Sequence, residues 1–143
     1  MALDVLLGEW NVEASIPSIG PTPIEGRTLF EWDLDGHFLR QRSTVSHPDA
    51  PDSVAIIGPD PQGHSYVQHY FDARGIARVY VMNLGNGVWT LTREAADFSE
   101  LRFSQRFTGT FSEDGRTIAG GWEMSPDGVN WDHDFDLTYW RVM

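Results

Sequence analysis

The amino-acid sequence predicts an all-β fold: about ten strands in an up-and-down antiparallel barrel or a half-open clam, with one short N-terminal helical turn. Three observations carry this. Asp35-Gly36, Asn86-Gly87, Asp114-Gly115 and Asp127-Gly128 each stand between alternating apolar and polar residues, the strongest short-range signal for a β-hairpin. Helical patterning is confined to Ala2–Leu7 and the stretch around Thr92–Phe98, a turn or two each. The 143 residues (1–143) suit one domain with one core, which hairpin-linked strands share most simply by closing on themselves and removing their edges.

Taken in order, the elements justify themselves by which residues a tight turn sets opposite each other. From Ile16 to Gly26 the chain carries three prolines and two glycines, too many for a helix or a central strand, so this segment reads as a loop and as a lid over one end of the fold. His47–Asp52 and Gly58–Gly63 read as connections of the same kind. A turn at Asp35-Gly36 sets Trp32 opposite Leu39, Phe30 opposite Gln41 and Thr28 opposite Ser43 on the inner face, with Glu31 opposite Arg40 outside. A turn at Asp114-Gly115 pairs Phe111 with Ile118, Phe107 with Trp122 and Gln105 with Met124. A turn at Asp127-Gly128 pairs Trp122 with His133 and Ile118 with Leu137, leaving Asp132, Asp134, Asp136 and Thr138 as an outer, solubilising row.

The middle strands admit two assignments. Pairing across Ala73-Arg74 and Asn86-Gly87 gathers His69, Arg78, Tyr80, Met82, Leu84, Trp89, Leu91 and Arg93 on one face. If that face is internal, His69, Arg78, Tyr80 and Arg93 cluster inside or at the rim and form an anchor for a carboxylate or phosphate. The opposite choice puts Tyr66, Gln68, Tyr70 and Val79 inside. Burial of the apolar residues favours the first over the cost of enclosing charge.

Several functional classes are disfavoured by composition. A net charge of −11 and a pI near 4.6 repel a phosphate backbone, so nucleic acid is not an expected partner. Without cysteine there is no disulfide, thiolate nucleophile or thiolate metal site. No apolar run approaches membrane-spanning length, and Met1–Asp4 lacks the opening of a signal peptide, so the expectation is a cytoplasmic protein without a membrane partner. There is no Gly-x-Ser-x-Gly elbow, phosphate-binding glycine loop or His-Glu-x-x-His helix. His64 and His69 lack a third ligand for zinc.

Two segments suggest relatives. Gly8-Glu9-Trp10, after a short apolar turn, resembles the Gly-x-Trp opening of calycin barrels, the lipocalin and fatty-acid-binding-protein group. The run Gly120–Trp131, followed by Asp134–Tyr139 and Arg141, resembles an uncharacterised bacterial family of such domains, with Phe30–Leu39 and Phe71-Asp72 in keeping. The resemblance implies a lipocalin-like barrel or clam and no settled activity. A further resemblance, to nitrobindin-like barrels, implies haem with His133 as the axial ligand, although Asn11–Ala14 stands where those proteins carry a glycine-rich run.

The expected function is therefore small-molecule binding. A mostly apolar ligand, with an anionic end, would be enclosed by Trp10, Trp32 and Trp122, oriented by Gln41, Gln105, His133 and Tyr139, and neutralised at His69, Tyr80 and Arg93. No cofactor is expected on this reading, and haem belongs to the nitrobindin-like alternative. A barrel isomerase or cyclase using His133 or His69 as proton shuttle is the other alternative. Trp140, outward beside Thr138, marks the place for a homodimer contact.

Overall fold

Alternation of apolar and polar residues between Gly-containing turns builds ten strands in the computed structural model, which describes residues 2–63 and 65–142. They are β1 (Gly8–Ser15), β2 (Ile24–Asp33), β3 (Phe38–Val45), β4 (Ser53–Pro59), β5 (Tyr66–Asp72), β6 (Ala77–Gly85), β7 (Val88–Arg93), β8 (Ser104–Phe111), β9 (Thr117–Ser125) and β10 (Asp132–Arg141). Each pairs antiparallel with its chain neighbours, and β1 pairs with β10, so the sheet closes as a barrel rather than a half-open clam. A 3₁₀ turn, Ala2–Leu6, precedes the first strand.

Three of the predicted hairpin registers are present. Trp32 faces Leu39 and Phe30 faces Gln41. Leu84 faces Trp89 across Asn86-Gly87, whose φ angles of 54° and 74° are those of a type I′ turn. Phe107 faces Trp122, and Glu31 forms its ion pair with Arg40 on the outside.

Two registers differ, and each moves a histidine. The β5–β6 turn contains three residues, not two: the Asp72 amide donates to Ile76 O at 3.0 Å, and Gly75 takes the left-handed φ of 84° that closes the loop. Adding one residue to a turn inverts the face of the whole strand, so Tyr66, Gln68 and Tyr70 point inward and His69 stands outside. Arg78, Tyr80, Met82 and Leu84 keep the inward face predicted for them.

At the far hairpin, Asp132 pairs with Met124 and His133 with Glu123, and a bulge at Asp134 then shifts the register so that Phe135 faces Trp122 and Tyr139 faces Ile118. The turn shift and the bulge cancel in parity. Phe135, Leu137 and Tyr139 therefore share the expected inner face, while His133, ahead of the bulge, lies outside and bonds Asp136 through Nε2 at 2.8 Å. The Asp127 carboxylate accepts from the amides of Val129 and Asn130, and this capped loop lengthens the turn.

Loop boundaries also shift. The proline-rich segment ends at Pro23, and Ile24–Gly26 belong to β2, where a side chain at Gly26 would meet Thr44 O at 2.6 Å. Gly58 and Pro59 end β4 rather than starting a loop. Residues 94–103 are irregular, not helical, because the Asp97 carboxylate binds Arg93 and the Val79 and Ser99 amides and ties the segment to β6. His64, one of the paired histidines considered for zinc, lies outside the described residues.

The end of the barrel nearest the 3₁₀ turn is sealed. Leu3 and Leu6 are buried, Trp10 Nε1 donates to Leu6 O at 2.9 Å, and Trp10 has no exposed surface. Arg141 donates to Leu7 O and Val5 O and lies over the Trp10 ring at 4.2 Å, so one guanidinium satisfies the end of the turn and covers the plug. Trp89 and Phe107 pack edge to face at 4.9 Å above it. The paired glycines 109 and 120 leave the backbone bare beneath Phe107, whose ring would lie 2.6 Å from a Cβ at Gly120.

Candidate functional site

Moving away from the sealed end, inward residues change from large and apolar to small or polar along the same strands. On β3 the inward series is Leu39, Gln41, Ser43; on β2 it runs from Phe30 to Thr28; on β4 from Ile57 to Ala55. On β6 it is Leu84, Met82, Tyr80, Arg78. Smaller side chains leave space, and a cavity of about 530 Å³ opens there, in the size range of small-molecule sites. Ile16 and Ile19 of the proline-rich loop and Ala50 and Pro51 of the β3–β4 loop line its mouth.

The polar groups inside are arranged in pairs. Thr28 Oγ1 and Ser43 Oγ lie 2.8 Å apart, and Gln68 Nε2 donates to Gln41 Oε1 at 3.2 Å. Gln105 Oε1 accepts from Arg78 Nη1 at 3.2 Å and from the Tyr80 hydroxyl at 3.3 Å. Burial raises the Tyr80 pKa, keeping its hydroxyl protonated. Burial does the same for Tyr139, whose hydroxyl has no hydrogen-bond partner among the described residues.

Charge within this end is unevenly compensated. Arg93 is fully committed: its guanidinium binds the Asp97 carboxylate at 2.9 Å through two nitrogens and also donates to Ser99 O and Glu100 O. That pairing holds the Asp97 carboxyl well below the usual range. Arg74 is committed at the rim to Asp72, which also accepts from the Tyr70 hydroxyl at 2.9 Å. Arg78 is not. It lines the cavity without an ion-pair partner among the described residues, its Nε buried without a hydrogen bond, its guanidinium 5.9 Å from the Phe103 ring.

Of the residues selected from sequence, Gln41, Tyr80, Gln105, Trp122 and Tyr139 line the cavity. Trp10 and Trp32 belong to the packing of the sealed half and do not reach it. Arg93 is internal but engaged by Asp97, and His69 and His133 are outside the barrel. The haem reading does not fit this interior: His133 is exposed and bonded to Asp136, and no histidine among the described residues lines the cavity. His69 and His133, the two candidates for a proton shuttle, both stand outside the barrel.

Gln68 and Tyr70 are inward only on the less favoured of the two assignments the sequence allows, and Asp134 belongs to its outer acidic row, whereas the structure places all three in the cavity lining, Asp134 at the bulge. The signal for the first two was Gly75, the glycine that a three-residue hairpin loop places at its left-handed position. The sequence sets Arg78 and Arg93 on one face and does not separate them as anion anchors. The Asp97 contact that separates them is set by an irregular loop with no periodicity to read.

Comparison with known proteins adds the fold. No protein-family model and no curated protein matches the sequence. Among solved structures, the chain is similar to the crystal structure of Rv2717c from M. tuberculosis, with a TM-score of 0.65 and 15% identity over 99% of this chain and 98% of that one. A likeness at that identity is a likeness of fold. It concerns the ten-stranded barrel as a whole, since both chains are covered almost end to end.

Proposed function

We propose that this barrel holds a small, mostly apolar molecule with an anionic end, its acidic group received by Arg78. The single observation that carries the reading is the state of that guanidinium. Among the described residues, six arginines hold a carboxylate: Arg27, Arg40, Arg74, Arg93, Arg102 and Arg106. Arg42 and Arg116 are exposed to water, and Arg141 caps backbone carbonyls. Arg78 alone among the cavity-lining arginines has neither a carboxylate nor full access to solvent, in a chain with 21 acidic residues available to pair with. A half-buried cation without a partner is costly unless something supplies the opposite charge.

The surroundings suit such an occupant. Leu91, Phe107, Trp122 and Leu137 offer apolar surface, and the Tyr139 hydroxyl is a free donor or acceptor. With a net charge of −11, the protein's long-range field does not attract anions, so selection falls to this local group. Native mass spectrometry of freshly purified protein, with the Arg78→Gln variant alongside, tests the reading. The expected result is an acid retained by the native chain and absent from the variant. Retention of the same molecule by both, or of a neutral molecule, would sink it.

A further inference from the structure

The cavity has two unlike walls, and they are contiguous halves of the barrel. From β6 to β10 the lining is rich in rings, Tyr80, Trp89, Phe107, Trp122, Phe135 and Tyr139, set among Arg78, Gln105, Leu91 and Leu137. These rings form a continuous chain, Tyr80 to Trp122 at 5.6 Å, Trp122 to Phe107 at 5.3 Å, Phe107 to Trp89 at 4.9 Å and Trp89 to Tyr139 at 5.8 Å, with Phe135 stacked on Trp122 at an interplanar angle of 27°. From β1 to β4 the lining contains no aromatic residue at all. Ala14, Thr28, Ser43 and Ala55 are small, Val12, Ile24 and Val45 are aliphatic, and the adjoining β5 supplies both Tyr70, which meets Tyr80 edge-on at 6.2 Å, and Gln68, which with Gln41 presents amide groups beyond the single hydrogen bond they share.

We propose that the ligand is a flat, conjugated ring system bearing an acidic group, lying face or edge against the aromatic half with its polar edge toward Gln41, Gln68 and the Thr28–Ser43 pair. This deepens the anion reading and rests on it for the position of the acidic group at Arg78. A flexible acyl chain gains nothing from a one-sided aromatic wall beyond buried area, because rings reward other rings through quadrupole geometry. It also leaves unused the amide capacity of Gln41 and Gln68 beyond the one bond they share, a cost in a half-enclosed space. A planar polar-edged molecule satisfies both walls at once.

The test compares 2-naphthoate with undecanoate, which has the same number of carbon atoms and the same acidic group. Affinities are read from isothermal titration of the native chain, Trp122→Leu and Arg78→Gln, with methyl 2-naphthoate as the uncharged control. The native chain should prefer 2-naphthoate, and Trp122→Leu should weaken it about fivefold to tenfold while leaving undecanoate nearly unchanged. As a check independent of any variant, NMR of the native complex should show upfield ring-current shifts of the naphthalene protons. Equal affinity for the two acids, equal loss of both in Trp122→Leu, no 2-naphthoate binding, or unshifted naphthalene protons overturns the inference. If 2-naphthoate and its methyl ester bind alike and Arg78→Gln changes neither, while the preference over undecanoate persists, the flat-ring inference stands and the anion reading falls.

Discussion

The two ends of this barrel are built from the same strands and obey opposite rules. At the sealed end, the chain supplies its own partners around the plug: the Trp10 indole bonds Leu6 O, and Arg141 takes carbonyls that the 3₁₀ turn leaves over. At the open end, Arg78 and the Tyr139 hydroxyl are left over themselves. Side-chain size falls along each strand in turn, from Trp10 to Ala14 on β1 and from Phe30 to Thr28 on β2. The difference teaches where stability and selectivity reside, since packing needs volume and complete pairing whereas a ligand needs space and spare bonding capacity.

If that division is right, substitutions at the two ends should separate stability from binding. The largest effect belongs to Trp10→Ala, expected to cost about 3–5 kcal/mol in urea unfolding while 2-naphthoate affinity stays within about threefold. A loss under about 1 kcal/mol would break the comparison. Next is Asp97→Asn, which leaves the buried Arg93 without its counter-charge and should cost about 3 kcal/mol at pH 7. Its pH dependence has a definite sign. The Asp97 pKa is depressed in the folded chain, so its contribution is present above the unfolded value near 4 and is lost as pH falls below that toward the folded value. Unfolding midpoints of the two proteins should therefore converge as pH drops below about 4, and parallel curves would contradict the assignment.

Arg78→Leu should do the reverse of Trp10→Ala. Stability is expected within about 1 kcal/mol of native, because Gln105 Oε1 loses the Arg78 bond but keeps the Tyr80 hydroxyl, while 2-naphthoate binding weakens by about 1.5–3 kcal/mol, the range for charged hydrogen bonds. Gly120→Ala sharpens the boundary between the ends: a methyl group at that position enters the Phe107 ring, and a cost of about 1–2 kcal/mol should appear in unfolding. Smallest is Asp134→Asn, expected to raise 2-naphthoate affinity about twofold by removing a rim carboxylate that opposes an acid. His133→Ala, on the outer face, should leave that titration unchanged, and any loss there would return the histidine to the site.

The sequence alone determined the all-β class, the hairpin order and three of the registers, because an Asn-Gly or Asp-Gly turn and period-two alternation are local properties that read without knowledge of the rest. It also identified half of the selected residues as cavity lining, Gln41, Tyr80, Gln105, Trp122 and Tyr139. Tertiary structure decided the rest. Whether Ala73–Gly75 forms a loop of two or three residues, and whether β10 bulges at Asp134, changes the facing of His69 and His133 by a single step that composition does not register. Which arginine remains free was decided by Asp97, four residues along from Arg93 in an irregular loop that folds back on β6. Local pattern specifies a strand and its alternation, but the identity of the empty interior depends on which long-range partners consume each charge, and that is settled only when the barrel closes.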